Sequence, residues 1–192
     1  MYTNPFAQTW KSEYTIDPAI LQFHKTLPEY GRTPLHPLPD WFAKNHHLGK
    51  VLLKDESHRF GLPAYKILGA SWGCYRAVIK HLNISPSVSL EEVGGAAREK
   101  NLQFYTATDG NWGRAVARMG NMLGAEANVY VPNIMVESTR EKIRQEGAKV
   151  VVVDGDYDRA VKMAERDSIE NVGLLIEDTA WPGYEEIPKV SV

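Results

Sequence analysis

Residues 102–178 constrain this chain more than any other stretch, because strand and helix patterns alternate there without a break. LQFYTAT, ANVYVP, AKVVVVDG and GLLIED read as buried strands rich in β-branched and aromatic residues. Between them lie helical patterns over Trp112 to Leu123, Glu137 to Glu146 and Asp158 to Ser168. Pro132 stops the second strand, and Gly147 is the expected C-cap of the second helix. Strand, helix, strand repeated in this way predicts a doubly wound α/β layer around a parallel sheet. Ligands of such sheets gather at the carboxyl ends of the strands. Two polar loops fall there, TATDGN after the first strand and EDTAWPGY after the last.

The preceding part is less regular. Residues 1 to 40 are rich in proline and aromatic residues and read as an extended arm with one short helix, Ile20 to Thr26. KVLLK, residues 50 to 54, reads as a strand. Ala64 to His81 and Leu90 to Lys100 read as helices, separated by the loop NISPSVS. The arm, the strand and the first of these helices have no later elements to complete a second sheet. The expectation is a larger architecture cut short. Residues 1–84 then belong to an incomplete large domain, and residues 85–192 to a small α/β domain with the start of a return to the large one.

Composition narrows the partners. With 192 residues and 43% hydrophobic residues the chain can bury a core. A net charge of −2 gives no electrostatic case for nucleic acid or an anionic membrane. No apolar run approaches the ~20 residues that span a bilayer. The opening MYTNPFAQTWKSEY lacks a basic-then-apolar layout, so no signal peptide is expected. The single cysteine, Cys74, forms no internal disulfide and suits a reducing cytoplasm. His46 and His47 are adjacent and lack a completing acid or cysteine, so no metal site is expected.

Two stretches carry candidate chemistry. In FGLPAYKILGAS, Lys66 stands among apolar and small residues near a predicted helix start, with no acid beside it in sequence. The helix dipole and apolar burial would both favour the free amine that Schiff-base chemistry needs. A surface lysine with its stem on apolar residues is the alternative reading. In TATDGNWG, Gly110 permits a tight turn, and backbone N–H groups at the helix start could receive a carboxylate. Asn111 offers an amide and Asp109 a carboxylate. An ordinary capped strand-to-helix turn is the alternative.

Together these stretches resemble the pyridoxal-phosphate enzymes of the tryptophan-synthase-β-like fold, a three-layer doubly wound parallel sheet. GRTPLHPL, KDES-RFGL-A-K-LG, T-DGN-GR and EDTAWPGYEEIP carry the resemblance. The aspartate before GN and the DTAW-GY-IP element are similar to the diaminopropionate ammonia-lyase branch.

That resemblance implies pyridoxal 5'-phosphate as cofactor and α,β-elimination of an amino acid such as 2,3-diaminopropionate to pyruvate and ammonia. Lys66 would hold the cofactor and move the α-proton. Asn111 would bind the cofactor's phenolic oxygen. The backbone of Ala107, Thr108, Asp109 and Gly110 would bind the substrate carboxylate. Asp109 would be a second base, and Asp178 would bind or protonate the departing amine. The alternative for Asp178 is a strand-end residue that accepts from loop N–H groups. The branch also implies a homodimer.

The chain departs from that pattern twice. Trp112 stands where the branch usually has histidine, which bears on substrate choice. The glycine-rich phosphate cup and the contact to the pyridine nitrogen fall in a C-terminal half that this chain lacks. A truncated ammonia-lyase, one half of a split enzyme and a catalytically inactive binding or assembly module are therefore all open. A serine/threonine dehydratase-like lyase is a further alternative. Tyr2, Phe6, Trp10 and Tyr14 are candidates for a subunit or domain contact.

Overall fold

A computed structural model describes residues 5, 9, 11 and 17–191. Tyr2, Phe6, Trp10 and Tyr14, with their expected contact, lie outside the described residues.

The parallel sheet forms as the hydrophobic pattern predicts. Its strands are β3 (Gln103–Ala107), β4 (Glu126–Pro132), β5 (Lys149–Val153) and β6 (Leu174–Leu175), in the order β5-β4-β3-β6. Every pairing is parallel, with Phe104 opposite Ala127 and Val129 opposite Val150. β4 is buried from Ala127 to Pro132 because helices cover both faces of the sheet. On one face α7 (Tyr157–Glu170) sets Ala160 and Ala164 against Tyr105, Tyr130 and Val153. On the other, α5 (Asn111–Met122) and α6 (Glu137–Gln145) share a core with Phe104, Val129 and Ile143. Gly147 follows α6 at φ +97°, the left-handed conformation that ends a helix and favours glycine.

The N-terminal elements wrap this unit. α3 (Lys66–His81) lies against α5, and its buried Ile67, Ala70, Cys74 and Val78 extend the same core. α1 (Pro18–Thr26) packs on α3 through Phe23, which stacks on Tyr75 at 4.5 Å. α4 (Leu90–Glu99) is started by a capping box in which Ser89 and Glu92 satisfy each other's backbone N–H groups. Three short elements were not expected. β1 (Leu35–Pro37) pairs antiparallel with β2 (Leu52–Lys54), α2 (Asp40–Asn45) connects them, and α8 (Glu186–Ser191) returns onto α3. All six residues of the β1–β2 pair are exposed. Among the described residues, no helix is long and apolar enough to cross a membrane, and no cluster of three or more His, Cys, Asp or Glu could hold a metal.

Candidate active site

Lys66 is the first residue of α3, and Tyr65 before it supplies no side-chain cap. The half-buried amine donates to a carboxylate oxygen of Asp178, just beyond β6. This corrects one expectation. Burial does disfavour the ammonium, but the Asp178 carboxylate outweighs it, so the lysine's pKa is raised rather than lowered. The sequence reading could not include a partner 112 positions away.

The TATDGN turn is built by Thr108. Its buried hydroxyl accepts from the N–H groups of Gly110 at 2.9 Å and Gly113 at 3.0 Å. Its own N–H donates to Tyr130 O at 3.0 Å, which ties the turn to β4. Gly113 is required for this seating. A Cβ there would lie 2.4 Å from Thr108 Cγ2 and 2.8 Å from Val129 Cγ1, so α5 could not approach the sheet. The N–H groups of Ala107, Thr108 and Gly110 are thus engaged inside the protein. Among the described residues, those of Asp109, Asn111 and Trp112 have no acceptor. They lie at the positive end of a 12-residue helix. Asp109 and Asn111 are themselves exposed.

Trp112 turns the other way. It is buried, and its indole N–H reaches both Thr106 Oγ1 at 3.0 Å and the Ile176 carbonyl at 3.1 Å. One side chain thereby links the start of α5 to the ends of β3 and β6. The Lys66 amine lies 5.8 Å from the centre of its ring, within cation–π range. The residue that departs from the resembled branch is therefore a floor beneath the lysine.

Sequence reasoning missed the role of Glu177. Its side chain is fully buried, and one oxygen accepts from the Ala107 N–H. The other has no hydrogen-bond partner. Burial pushes its pKa up to about 8, with Asp178 adding to the effect. Tyr184 fixes the backbone here, accepting from Glu177 N–H and donating to Leu175 O, both at 2.9 Å. The only sequence signal was the acid itself, at the end of a strand that reads as buried.

Lys66 faces two spaces. With Asp178, Gly69 and Trp72 it lines a cavity of about 400 Å³, walled mainly by apolar surface. With Asp109, Gly110, Asn111 and Thr139 it lines an open cleft. A primary amine beside an amide donor and an apolar wall suits a planar aldehyde with an adjacent phenol. The phosphate of such a group needs several N–H donors or cations. The cavity lining offers no arginine and no run of glycine amides. His24 does not replace them, because burial lowers its pKa.

A family model described as pyridoxal-phosphate dependent enzyme matches residues 26–186. The chain belongs to that family. This pyridoxal-phosphate-dependent enzyme family includes relatives that match nearly the whole chain. Diaminopropionate ammonia-lyase of Salmonella typhimurium is 42% identical over 177 residues, which are 88% of this chain and 43% of that protein. The crystal structure of holo diaminopropionate ammonia lyase from Escherichia coli superposes with a TM-score of 0.82 at 34% identity, covering 90% of this chain and 44% of that one. The same enzyme in complex with D-serine gives the same TM-score and coverage. The chain thus spans less than half the length of the relatives it matches, and its tryptophan-synthase-β-like fold is the matching part of theirs.

Proposed function

We propose that this chain carries the lysine-and-turn portion of an ammonia-lyase site that acts with pyridoxal 5'-phosphate on a small amino acid bearing a β-amine, such as 2,3-diaminopropionate. One observation supports this above all. Lys66, Asp109, Asn111 and Asp178, from three separate stretches, converge on adjoining spaces at the carboxyl end of a parallel sheet. The net reaction takes diaminopropionate and water to pyruvate and two ammonia molecules.

The roles follow from placement. Lys66 would hold the cofactor through Nζ, and the Asn111 amide would donate to its phenolic oxygen. The bound cofactor would supply an electron-withdrawing ring that makes the α-proton acidic. Lys66 takes the α-proton of one enantiomer, and Asp109, exposed in the same cleft, takes that of the other. The open N–H groups of Asp109, Asn111 and Trp112 receive the substrate carboxylate. This shifts the anion site from the expected Ala107–Gly110 backbone towards the helix start. Asp178 accepts the proton that Lys66 must lose to become a nucleophile, and can return one to the departing amine. An amine is a poor leaving group until protonated, so an acid at this place has a defined task.

The proposal extends to partners and setting. Residues 1–84 with α8 would belong to a larger cofactor domain, and residues 85–185 to the small domain, since α8 returns onto α3. Exposed Leu35, Leu52 and Leu53 on the β1–β2 pair, with exposed Trp41 beside it, favour a contact with a second copy or a complementing C-terminal segment. That segment would bring the phosphate donors. The buried, unpaired thiol of Cys74 favours a cytoplasmic enzyme.

Borohydride trapping tests the central claim. Purified chain mixed with pyridoxal phosphate and reduced should gain one phosphopyridoxyl group on Lys66, and Lys66→Ala should not. A folded chain that gains none at Lys66 overturns this reading.

A further inference from the structure

Glu177 is a carboxyl group in an unusual place. It is 0% exposed, one of its oxygens has no hydrogen-bond partner, and among the described residues it forms no ion pair with a lysine, arginine or histidine. The ionisable groups acting with it are acids: Asp178 beside it in sequence, Tyr157 at the start of α7, and Tyr184 from the following turn. The Ala107 N–H and the Thr106 hydroxyl, which the Trp112 indole already engages, favour the charged form, but burial outweighs them. A charge in such surroundings is unfavourable.

Its bond to the backbone matters for the site. Glu177 grips the N–H of Ala107, the last residue of β3, and Thr108 then builds the turn. The turn's open N–H groups begin two residues beyond the grip.

We propose that Glu177 is a positioning residue, held as the neutral acid beneath the turn, so that the open amides of Asp109, Asn111 and Trp112 keep their affinity for a carboxylate. The inference rests on the reading that this turn receives the substrate's carboxylate. Neutral Glu177 holds the end of β3 in place without opposing an anion above it. Ionised Glu177 sets a negative charge below those amides and weakens their hold. Carboxylate affinity should therefore fall as pH rises through the titration of this side chain, whichever amino acid is bound.

The test uses the full chain labelled with ¹³C at the glutamate carboxyls and ¹⁵N at the amides, with acetate as the carboxylate probe. The resonance missing from Glu177→Gln identifies Glu177. It should titrate far above an ordinary glutamate, and the Ala107 amide should move with the same midpoint. Acetate should shift the Asp109, Asn111 and Trp112 amides with about tenfold higher affinity near pH ~6 than near pH ~9.5. In Glu177→Gln the two affinities should agree. A Glu177 that titrates in the ordinary range overturns the proposal, as does a wild-type acetate affinity that ignores its titration. If acetate leaves the turn unmoved at both pH values, the turn's role fails. The cofactor reading then stands or falls separately on whether Lys66 is trapped.

Discussion

Lys66 and Asp178 form a hydrogen-bonded ion pair across 112 positions of sequence. The pair joins the first residue of α3 to the loop after β6, so it ties the N-terminal wrap to the sheet. It also sets the resting state of the amine. A paired ammonium is not a nucleophile, and the proton must go to the partner before a carbonyl can be attacked.

Replacing Asp178 by Asn removes that partner while leaving the burial. The Lys66 midpoint should fall, since desolvation then acts without the opposing carboxylate. Reductive methylation followed at Lys66 by mass spectrometry across pH reads this directly, and labelling near neutrality should be faster in the variant. Turnover, in any assembly that shows it, should drop by ~100-fold or more because the proton store for the leaving amine is gone. An unchanged labelling profile would mean that the pair does not control the amine.

Trp112→Phe keeps a ring beneath Lys66 but removes the N–H that reaches Thr106 and Ile176. Two buried acceptors lose a donor, which should cost about 1–3 kcal/mol in urea unfolding. Trapping of pyridoxal phosphate at Lys66 should persist, because the ring face remains. Equal stability of variant and parent would remove the indole from its bridging role.

Much of this arrangement was legible in the residues. The four strands and the helices between them follow from hydrophobic periodicity, because a sheet covered on both faces leaves near-continuous apolar runs such as Ala127 to Pro132. Gly147 announces its helix end by the conformation it alone adopts easily. The turn was visible through Asp109, Gly110 and Asn111, but which amides stay open depends on the Thr108 hydroxyl and on β4. Periodicity could not give the partner of Lys66, the inward turn of Trp112 or the isolation of Glu177. Each is a contact between distant segments, and strand order decides it. The short elements β1, α2 and α8 escaped for another reason, since three to six residues carry too little pattern to separate them from loop.

Gly113→Ala tests how tightly α5 must seat. The new methyl would meet Thr108 and Val129 well inside contact distance, and both are short, β-branched, buried side chains. Overpacking of this kind should destabilise the fold by about 1–3 kcal/mol. It should also disturb the turn, seen as altered Gly110 and Asn111 amide shifts. Gly95→Ala is the contrast, because nothing lies within 4 Å of the added carbon. That helical change should be neutral or stabilising by up to about 1 kcal/mol. A Gly113→Ala protein as stable as the parent would show that the helix can move without loss.

Glu177 also predicts how stability depends on pH. Its folded pKa of about 8 lies above that of an unfolded glutamate, so the folded chain binds the proton more tightly. The stability this contributes is fully present below the unfolded pKa, near 4.3. It declines as pH rises and is lost once pH passes the folded value near 8. Over that window the loss should be on the order of 3–5 kcal/mol. Glu177→Gln cannot ionise, so its urea midpoint should be flatter between those pH values and higher than the parent's above pH ~8. Parallel profiles for parent and variant would show that Glu177 carries its charge through the neutral range, against the burial seen here.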